Sequence, residues 1–305
     1  GVPLVALHLT RPGVQIPDRE KLGMPTHFEA ARGAYVVRDY ISGVLRGGTL
    51  FVQGTSAMRS VVALLPRLEA EGLFPPALED ERASFLAALK AADTAIIAEY
   101  KRASPSRGDL NLETSPEDAA RAYENAGAAA LSVLTEPDHF KGDPGFLARM
   151  AEVTGLPLLR KDFIAHPVQV LETASTPAAA MLAIARFDPY GSLPACVDLA
   201  SRNGIEVVME IFDEADLNRA REMNSKIIQV NSRDLDTLGM DPVKHERLIE
   251  KKAPGEFWIA ASGINGGARI KELKNAGYGA FLIGTSLMSG KEPGQALAKI
   301  IKEAN

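Results

Sequence analysis

The chain has 305 residues, enough for one large domain with an appendage or for two smaller domains. Apolar residues make up 46% and charged residues 24%, which is ordinary for a globular protein, and the formal net charge is -5. Because the net charge is negative and no Lys/Arg cluster is present, nucleic acid is not expected as a partner. A small anionic substrate would have to be attracted by local positive charge.

The cysteine content and hydropathy predict a cytoplasmic protein with no membrane partner. Cys196 is the only cysteine, so no internal disulfide can form, which fits a reducing compartment. No apolar run approaches the roughly 20 residues that a membrane-spanning helix needs. We expect Cys196 to be a buried core residue.

Residues 1–78 are predicted to form a separate α/β appendage that ends in a linker. We expect strands over residues 4–9, 34–39 and 49–53, a helix over residues 56–72, and a linker at Pro75 and Pro76. Residues 33–39 and 48–56 resemble the start of the transketolase C-terminal domain. The segment does not carry the thiamine cofactor site of that family, so we expect a structural or oligomerisation role.

From about residue 94, short apolar runs alternate with amphipathic stretches. This pattern predicts a parallel sheet covered by helices, and eight units predict an α/β fold of the (βα)8 TIM-barrel type over residues 79–305. A doubly wound open sheet is the alternative, but no GxGxxG turn follows the first run. The predicted strands are residues 95–100, 130–135, 156–161, 179–185, 206–210, 227–231, 257–262 and 280–284.

Several helix ends are also marked in the sequence. Residues 115–118 combine an N-cap serine, a proline and two acidic residues, and a capping residue followed by proline recurs at residues 143–144 and 241–242. Glycines are expected where three helices end. These are Gly155, Gly204 and Gly277.

Charged residues stand where the predicted strands end, the face on which (βα)8 barrels carry their active sites. Glu99 and Lys101 are two residues apart on the first strand and therefore share a face. Lys161 and Glu210 end the third and fifth strands. Any one of these four charged residues alone would be explained as a surface charge, but four at equivalent strand ends predict a catalytic site. Asn231, at the end of the sixth strand, is expected to belong to the same site.

The loops after the seventh and eighth predicted strands have the features of a phosphate site. Ser262 precedes Gly263, and Gly284 precedes Thr285. Glycine lets backbone N–H groups approach an anion, and barrel enzymes often bind phosphate with these two loops. Either glycine alone would fit an ordinary turn.

Residues 99–108, which read EYKRASPSRG, resemble the signature of the indole-3-glycerol-phosphate synthase family. The resemblance extends over roughly residues 80–305, and residues 85–91 match the helix that precedes the first strand and helps to close the barrel in that family. Further matches follow in the same order: residues 131–136, Phe140 before Gly142, 159–164, Glu210, Asn231 with 233–235, 262–264 and 281–288.

This resemblance implies a carbon–carbon lyase that converts 1-(2-carboxyphenylamino)-1-deoxyribulose 5-phosphate into indole-3-glycerol phosphate, with loss of carbon dioxide and water, in tryptophan biosynthesis. It implies no metal and no organic cofactor. Lys161 would be the general acid for ring closure, and Lys101 would contact the carboxylate that is lost. Glu210 would transfer protons during dehydration, and Glu99 would orient the lysines.

The resemblance also implies how the substrate is held. Asn231 would bind its hydroxyls, and Phe140 and Pro105 would border its aromatic ring. The expected phosphate ligands are Ser104, Ser262, Gly263, Gly284 and Thr285.

Of two departures from the family pattern, the first keeps a second function open and the second places bulk near the barrel interior. Ala261 stands where the family normally has glutamate, and Gln229 replaces a customary glycine. The alternative is a weakened barrel that binds the phosphorylated ligand without efficient turnover. A phosphoribosyl isomerase on the same fold would not explain Lys101 together with Lys161. Association of the chain with itself, through residues 1–78, or with other tryptophan-pathway enzymes is also open.

Overall fold

The computed structural model describes residues 4–10, 35–37 and 47–53 as backbone strands and, with side chains, residues 82–188, 191–233, 239–290 and 292–305. Strand Leu4–Thr10 pairs in parallel with Tyr35–Val37 and antiparallel with Gly47–Gln53. These strands overlap the three predicted near the N-terminus. The predicted helix over residues 56–72 and the linker at Pro75 and Pro76 lie outside the described residues.

Eight parallel strands form a closed barrel, which confirms the predicted fold class. Each strand pairs with its neighbour in the chain, and the eighth pairs with the first. The strand ends lie within two residues of the predicted ones. The strands are β1 (Ala95–Tyr100), β2 (Ala130–Leu134), β3 (Leu158–Lys161), β4 (Ala178–Ile184), β5 (Glu206–Ile211), β6 (Ile227–Asn231), β7 (Phe257–Ala261) and β8 (Ala280–Ile283).

Helices follow the strands in turn. They are α1 (Pro116–Asn125), α2 (Gly145–Ala151), α3 (Pro167–Ala174), α4 (Leu193–Arg202), α5 (Glu214–Glu222), α6 (Lys244–Ile249), α7 (Gly267–Ala276) and α8 (Pro293–Ala304). The Ser115 side chain caps α1 by accepting a hydrogen bond from the Asp118 N–H at 3.1 Å, as its sequence predicts. Gly277 ends α7 with φ of 114°, and Gly204 follows α4 with φ of 67°.

Three predicted helix ends are wrong in detail. The Asp143 and Asp241 carboxylates do not cap α2 and α6; they bind N–H groups two residues on, in Asx turns, so each helix begins after the proline. Helix α2 ends at Ala151, well before Gly155. The Gly155 N–H donates instead to the Glu124 carboxylate, which places this glycine in the loop.

Two apolar layers surround the strands. Outward side chains pack against the helices, while alternate inward side chains fill the barrel. The helix Phe85–Ala91, which the resemblance implies, covers the amino-terminal end, where Phe85 and Leu89 join the inner cluster. With that end closed by apolar groups, the inward polar side chains are left at the carboxyl-terminal end. Within the described residues, no helix has the length and apolar character needed to cross a membrane.

Candidate active site

A cavity of about 640 Å³ opens at the carboxyl-terminal mouth of the barrel. All the site residues predicted from the sequence line it. Four are the charged residues at the strand ends, and the rest were expected to hold the ring, the hydroxyls or the phosphate: Glu99, Lys101, Lys161, Glu210, Ser104, Pro105, Phe140, Asn231, Ser262, Gly263, Gly284 and Thr285. Among the described residues, no group of three or more His, Cys, Asp or Glu could hold a metal ion.

Two lysine–carboxylate pairs lie inside this cavity. The Lys101 Nζ lies 3.9 Å from the Glu99 Oε2, and the Lys161 Nζ lies 3.6 Å from the Glu210 Oε2. Both carboxylates are buried, whereas each lysine side chain keeps 17% of its surface exposed to the cavity. Both ammonium groups are therefore accessible to a ligand that enters the cavity, whereas their carboxylate partners are not.

Glu99 is held in place from three sides. The Ser132 hydroxyl on β2 lies 3.5 Å from its Oε1, and the Tyr123 hydroxyl donates to its backbone carbonyl. A Cβ at Gly284 would lie 2.1 Å from the Glu99 Oε2 and 3.0 Å from its Cβ. Gly284 is thus required because the Glu99 side chain occupies the space of a side chain at that position.

Burial is the largest influence on Lys101 and lowers its pKa. The carboxylates of Glu99 and Glu210 oppose this effect, while the positive charges of Lys161 and Arg233 add to the lowering. The net result is a pKa below the ordinary value for lysine. Lys101 can therefore exchange a proton more readily than an exposed lysine.

An aromatic wall borders the two lysines. Glu136 accepts hydrogen bonds from the backbone N–H groups of a short helix, Pro137–Phe140, and so orients Phe140. The Lys101 Nζ lies 5.1 Å from the centre of the Phe140 ring, in a cation–π contact. Phe163 packs on Phe140 with ring centres 6.3 Å apart. This wall is suited to a flat aromatic ring.

The residues on either side of Lys161 form a buried ionic network. The Arg160 guanidinium donates to Asp162 at 3.0 Å, to Glu172 at 2.6 Å and to the Thr173 hydroxyl at 3.0 Å. Because adjacent strand residues face opposite sides, fixing Arg160 and Asp162 towards the helices leaves Lys161 facing the barrel interior.

The loop after β7 supplies one part of the predicted phosphate site. Ser262 and Gly263 both have positive φ, 66° and 71°. The Ser232 hydroxyl donates to the Ser262 carbonyl at 3.1 Å. A Cβ on Gly263 would approach the end of Met240 to 2.8 Å. The glycine therefore fits both the backbone conformation and the limited space at the rim.

The Ser104 hydroxyl, which lines the cavity, is a second candidate phosphate ligand. Ser104 belongs to a short hairpin in which Ala103–Ser104 pairs with Gly108–Asp109. Its hydroxyl is buried and has no hydrogen-bond partner in the described structure. A buried donor of this kind is costly unless a ligand satisfies it.

The two sequence departures also lie in the cavity. Gln229 on β6 stands beside Glu210 on β5 in the strand register, and its Nε2 donates to the Glu210 Oε2 at 2.5 Å. Ala261 ends β7, opposite Asn231 of β6. Its side chain is a methyl group, so the end of β7 presents no carboxylate to the cavity.

Several cavity residues were not among the predicted site residues: Arg107, Glu136, Phe163, Arg233, His245 and Arg269. Arg233 could have been found, because it lies two residues beyond Asn231 and its charge acts on Lys101. His245 comes from α6 and binds the Ala261 carbonyl at 3.1 Å. Nothing in its sequence context indicates this position.

The fold and cavity define the chain as a (βα)8 barrel of the enzyme type, with its charged residues at the strand carboxyl ends. The model of the family described as indole-3-glycerol phosphate synthase matches residues 63–300. The chain belongs to this family, as the signature at residues 99–108 predicts.

Similar proteins agree with this assignment. An indole-3-glycerol phosphate synthase from Aquifex aeolicus (strain VF5) is 40% identical over 71% of this chain and 85% of its own length. One from Desulfosudis oleivorans is also 40% identical, over 68% of this chain and 79% of its own. Among solved structures, a thiamine phosphate pyrophosphorylase from Pyrococcus furiosus has a TM-score of 0.52 at 12% identity, covering 69% of this chain and 95% of its own. That likeness shows the shared barrel alone.

Proposed function

We propose that this chain is an indole-3-glycerol-phosphate synthase that closes the indole ring of its substrate, 1-(2-carboxyphenylamino)-1-deoxyribulose 5-phosphate. The observation that carries the proposal is the pair of lysines, each within 4 Å of a buried carboxylate, beside an aromatic wall in one cavity. The family supplies the reaction, and the cavity supplies groups suited to each of its steps.

Ring closure requires a proton on the substrate's carbonyl oxygen. As that carbonyl accepts the electron pair of the aromatic ring, negative charge develops on its oxygen. The Lys161 ammonium is the proposed general acid, because its Nζ faces the cavity and is held by Glu210 at 3.6 Å. The new carbon–carbon bond then joins the ring carbon that carries the carboxylate to the former carbonyl carbon.

Decarboxylation restores the aromatic ring. The proposed role of Lys101 is to bind the substrate carboxylate, with the ring against Phe140 and Pro105. When carbon dioxide leaves, the electron pair of the broken bond returns to the ring. The cation–π contact between Lys101 and Phe140 supports this arrangement, because it places an ammonium beside the aromatic wall.

Dehydration completes the reaction. Glu210 is the proposed proton-transfer group: the hydroxyl on the former carbonyl carbon takes up a proton and leaves as water, and the neighbouring CH2 carbon attached to nitrogen loses a proton, so that the carbon–carbon double bond of the indole forms between these two carbons. Glu99 orients Lys101, and Asn231 binds substrate hydroxyls. The phosphate is proposed to bind at the rim, where the unsatisfied Ser104 hydroxyl supplies a donor.

Turnover can be followed by the indole fluorescence of the product. We expect turnover by the purified chain and a loss of about 100- to 10,000-fold in Lys161→Met, the range for removing a general acid. Lys299→Met is the matched control, because Lys299 is exposed on α8, and it should retain full activity. Binding without turnover, with turnover gained in Ala261→Glu, would contradict the proposal and favour the weakened barrel.

Residues 1–78 are proposed to be an appendage outside the catalytic barrel, and the protein is proposed to be cytoplasmic. The paired strands at 4–10, 35–37 and 47–53 support a separate sheet. The family match begins at residue 63, within this segment. Deletion of residues 1–78 should change the number of chains per particle in sedimentation without changing substrate affinity; an unchanged number of chains would argue against an assembly role.

A further inference from the structure

Gln229 is a buried polar side chain on β6, with Glu210 as its register neighbour on β5. It is fully buried, and its register neighbour on β7 is Ile259, which belongs to the inner apolar cluster. A buried primary amide lowers stability unless its donors and acceptor are satisfied. The Gln229 Oε1 has no hydrogen-bond partner in the described structure. Packing alone therefore does not explain an amide at this position.

The amide is directed at a single group. Its Nε2 donates to the Glu210 Oε2 at 2.5 Å, and the same oxygen lies 3.6 Å from the Lys161 Nζ. An ionised carboxylate only accepts hydrogen bonds, so the amide nitrogen must face it. Glu210 is thus held between a neutral donor on β6 and the proposed general acid on β3.

We propose that Gln229 is a positioning residue for ring closure and dehydration, because its amide fixes the Glu210 carboxylate in the orientation that pairs it with Lys161. This inference rests on the proposed function. Ala261 leaves the cavity without a carboxylate at the end of β7. The hydrogen bond from Gln229 on β6 orients the Glu210 carboxylate. Because the amide is neutral, the net charge of the cluster of two lysines and two glutamates is unchanged.

Gln229→Met tests the contact while keeping nearly the same volume. We expect kcat to fall about 10- to 100-fold, as is typical when a group that orients a reacting residue is removed. KM should change less than kcat, because the amide is fully buried and its hydrogen bond goes to Glu210. The control is Ile259→Met, at the neighbouring inward position, which should keep both kcat and KM.

Gln229→Glu separates positioning from filling space. When the new carboxyl group is protonated, it can donate a hydrogen bond to Glu210 as the amide does. When it is ionised, its negative charge repels the Glu210 carboxylate. Besides Glu210, the charged groups of this cavity that act on Lys101 of β1 are Glu99 on β1, Lys161 on β3 and Arg233 after β6. His245 on α6 contacts the Val230 carbonyl, next to Gln229 in the chain. We therefore expect the kcat of Gln229→Glu, relative to the unaltered protein, to fall as the pH rises. The relative kcat of Gln229→Met should stay constant with pH.

The outcomes separate this inference from the proposed function. If the unaltered protein has no turnover, the proposed function fails. If the unaltered protein turns over and both Gln229 variants keep its kcat, the positioning role is refuted. A relative kcat of Gln229→Glu that does not change with pH, with activity and melting temperature falling together in both variants, would identify Gln229 as a packing residue and also refute the inference.

Discussion

Substitution of Gly284 by alanine tests how the site is built. The added Cβ would lie 2.1 Å from the Glu99 Oε2, 2.9 Å from its Cδ and 3.0 Å from its Cβ. Since carbon atoms normally approach to about 3.5 Å, the Glu99 carboxylate must move by more than about 1 Å. Such a shift breaks the 3.9 Å pair with Lys101 and the 3.5 Å contact with Ser132.

We expect Gly284→Ala to lower kcat/KM by about 100-fold, the effect of a 1 Å misplacement in an active site. Overpacking should cost about 1–3 kcal/mol in the free energy of unfolding. Indole fluorescence measures the first quantity and urea denaturation the second. Gly290→Ala is the matched control, because a Cβ there meets nothing within 4 Å. Full activity in Gly284→Ala would refute the packing of Glu99 against this glycine.

The remaining predictions concern stability and phosphate binding. Arg160→Met leaves two buried carboxylates without their ion-pair partner and should lower the free energy of unfolding, measured by urea denaturation, by about 3–5 kcal/mol. Arg202→Met, which removes an exposed ion pair, should leave that free energy unchanged. Equal effects of the two substitutions would contradict the buried network. Burial lowers the His166 pKa from 6.5 to about 4, so the unfolded chain binds more protons between these values. Above about pH 6.5 His166 therefore does not lower the free energy of unfolding, which should fall by up to about 3 kcal/mol as the pH drops from there towards 4. In His166→Asn this pH dependence should disappear. An unchanged slope of the free energy of unfolding against pH in that variant would refute the prediction. Ser104→Ala should raise KM for the phosphorylated substrate several-fold with little change in kcat; an unchanged KM would exclude its hydroxyl as a phosphate ligand.

The strands and the cavity were predictable because their signals are periodic and local. Continuous apolar runs define the barrel strands, and polar residues at their ends must meet when the barrel closes. Glu99 and Lys101 share a face because side chains alternate along a strand. Once a closed barrel is predicted, the residues at the strand ends can therefore be expected to lie close together, even though their side-chain contacts are not known.

Contacts across elements were not predictable in this way. The sequence marks Gln229 as a departure, but its bond to Glu210 depends on the register between β5 and β6. The positions of Phe163 and His245 depend on loop and helix packing. The errors at residues 143–144 and 241–242 have a local cause, because aspartate before proline also favours an Asx turn, which here closes at Gly145 and Val243, where the two helices start.

The central claim is that the Lys161 ammonium supplies the proton for ring closure in this cavity. Its most direct test is a comparison of substrate binding and product formation in Lys161→Met under single-turnover conditions. The account predicts that the substrate still binds, with a dissociation constant within about tenfold of the unaltered protein, while the indole signal develops at least about 100-fold more slowly. Ring closure at the unaltered rate in this variant would contradict the account.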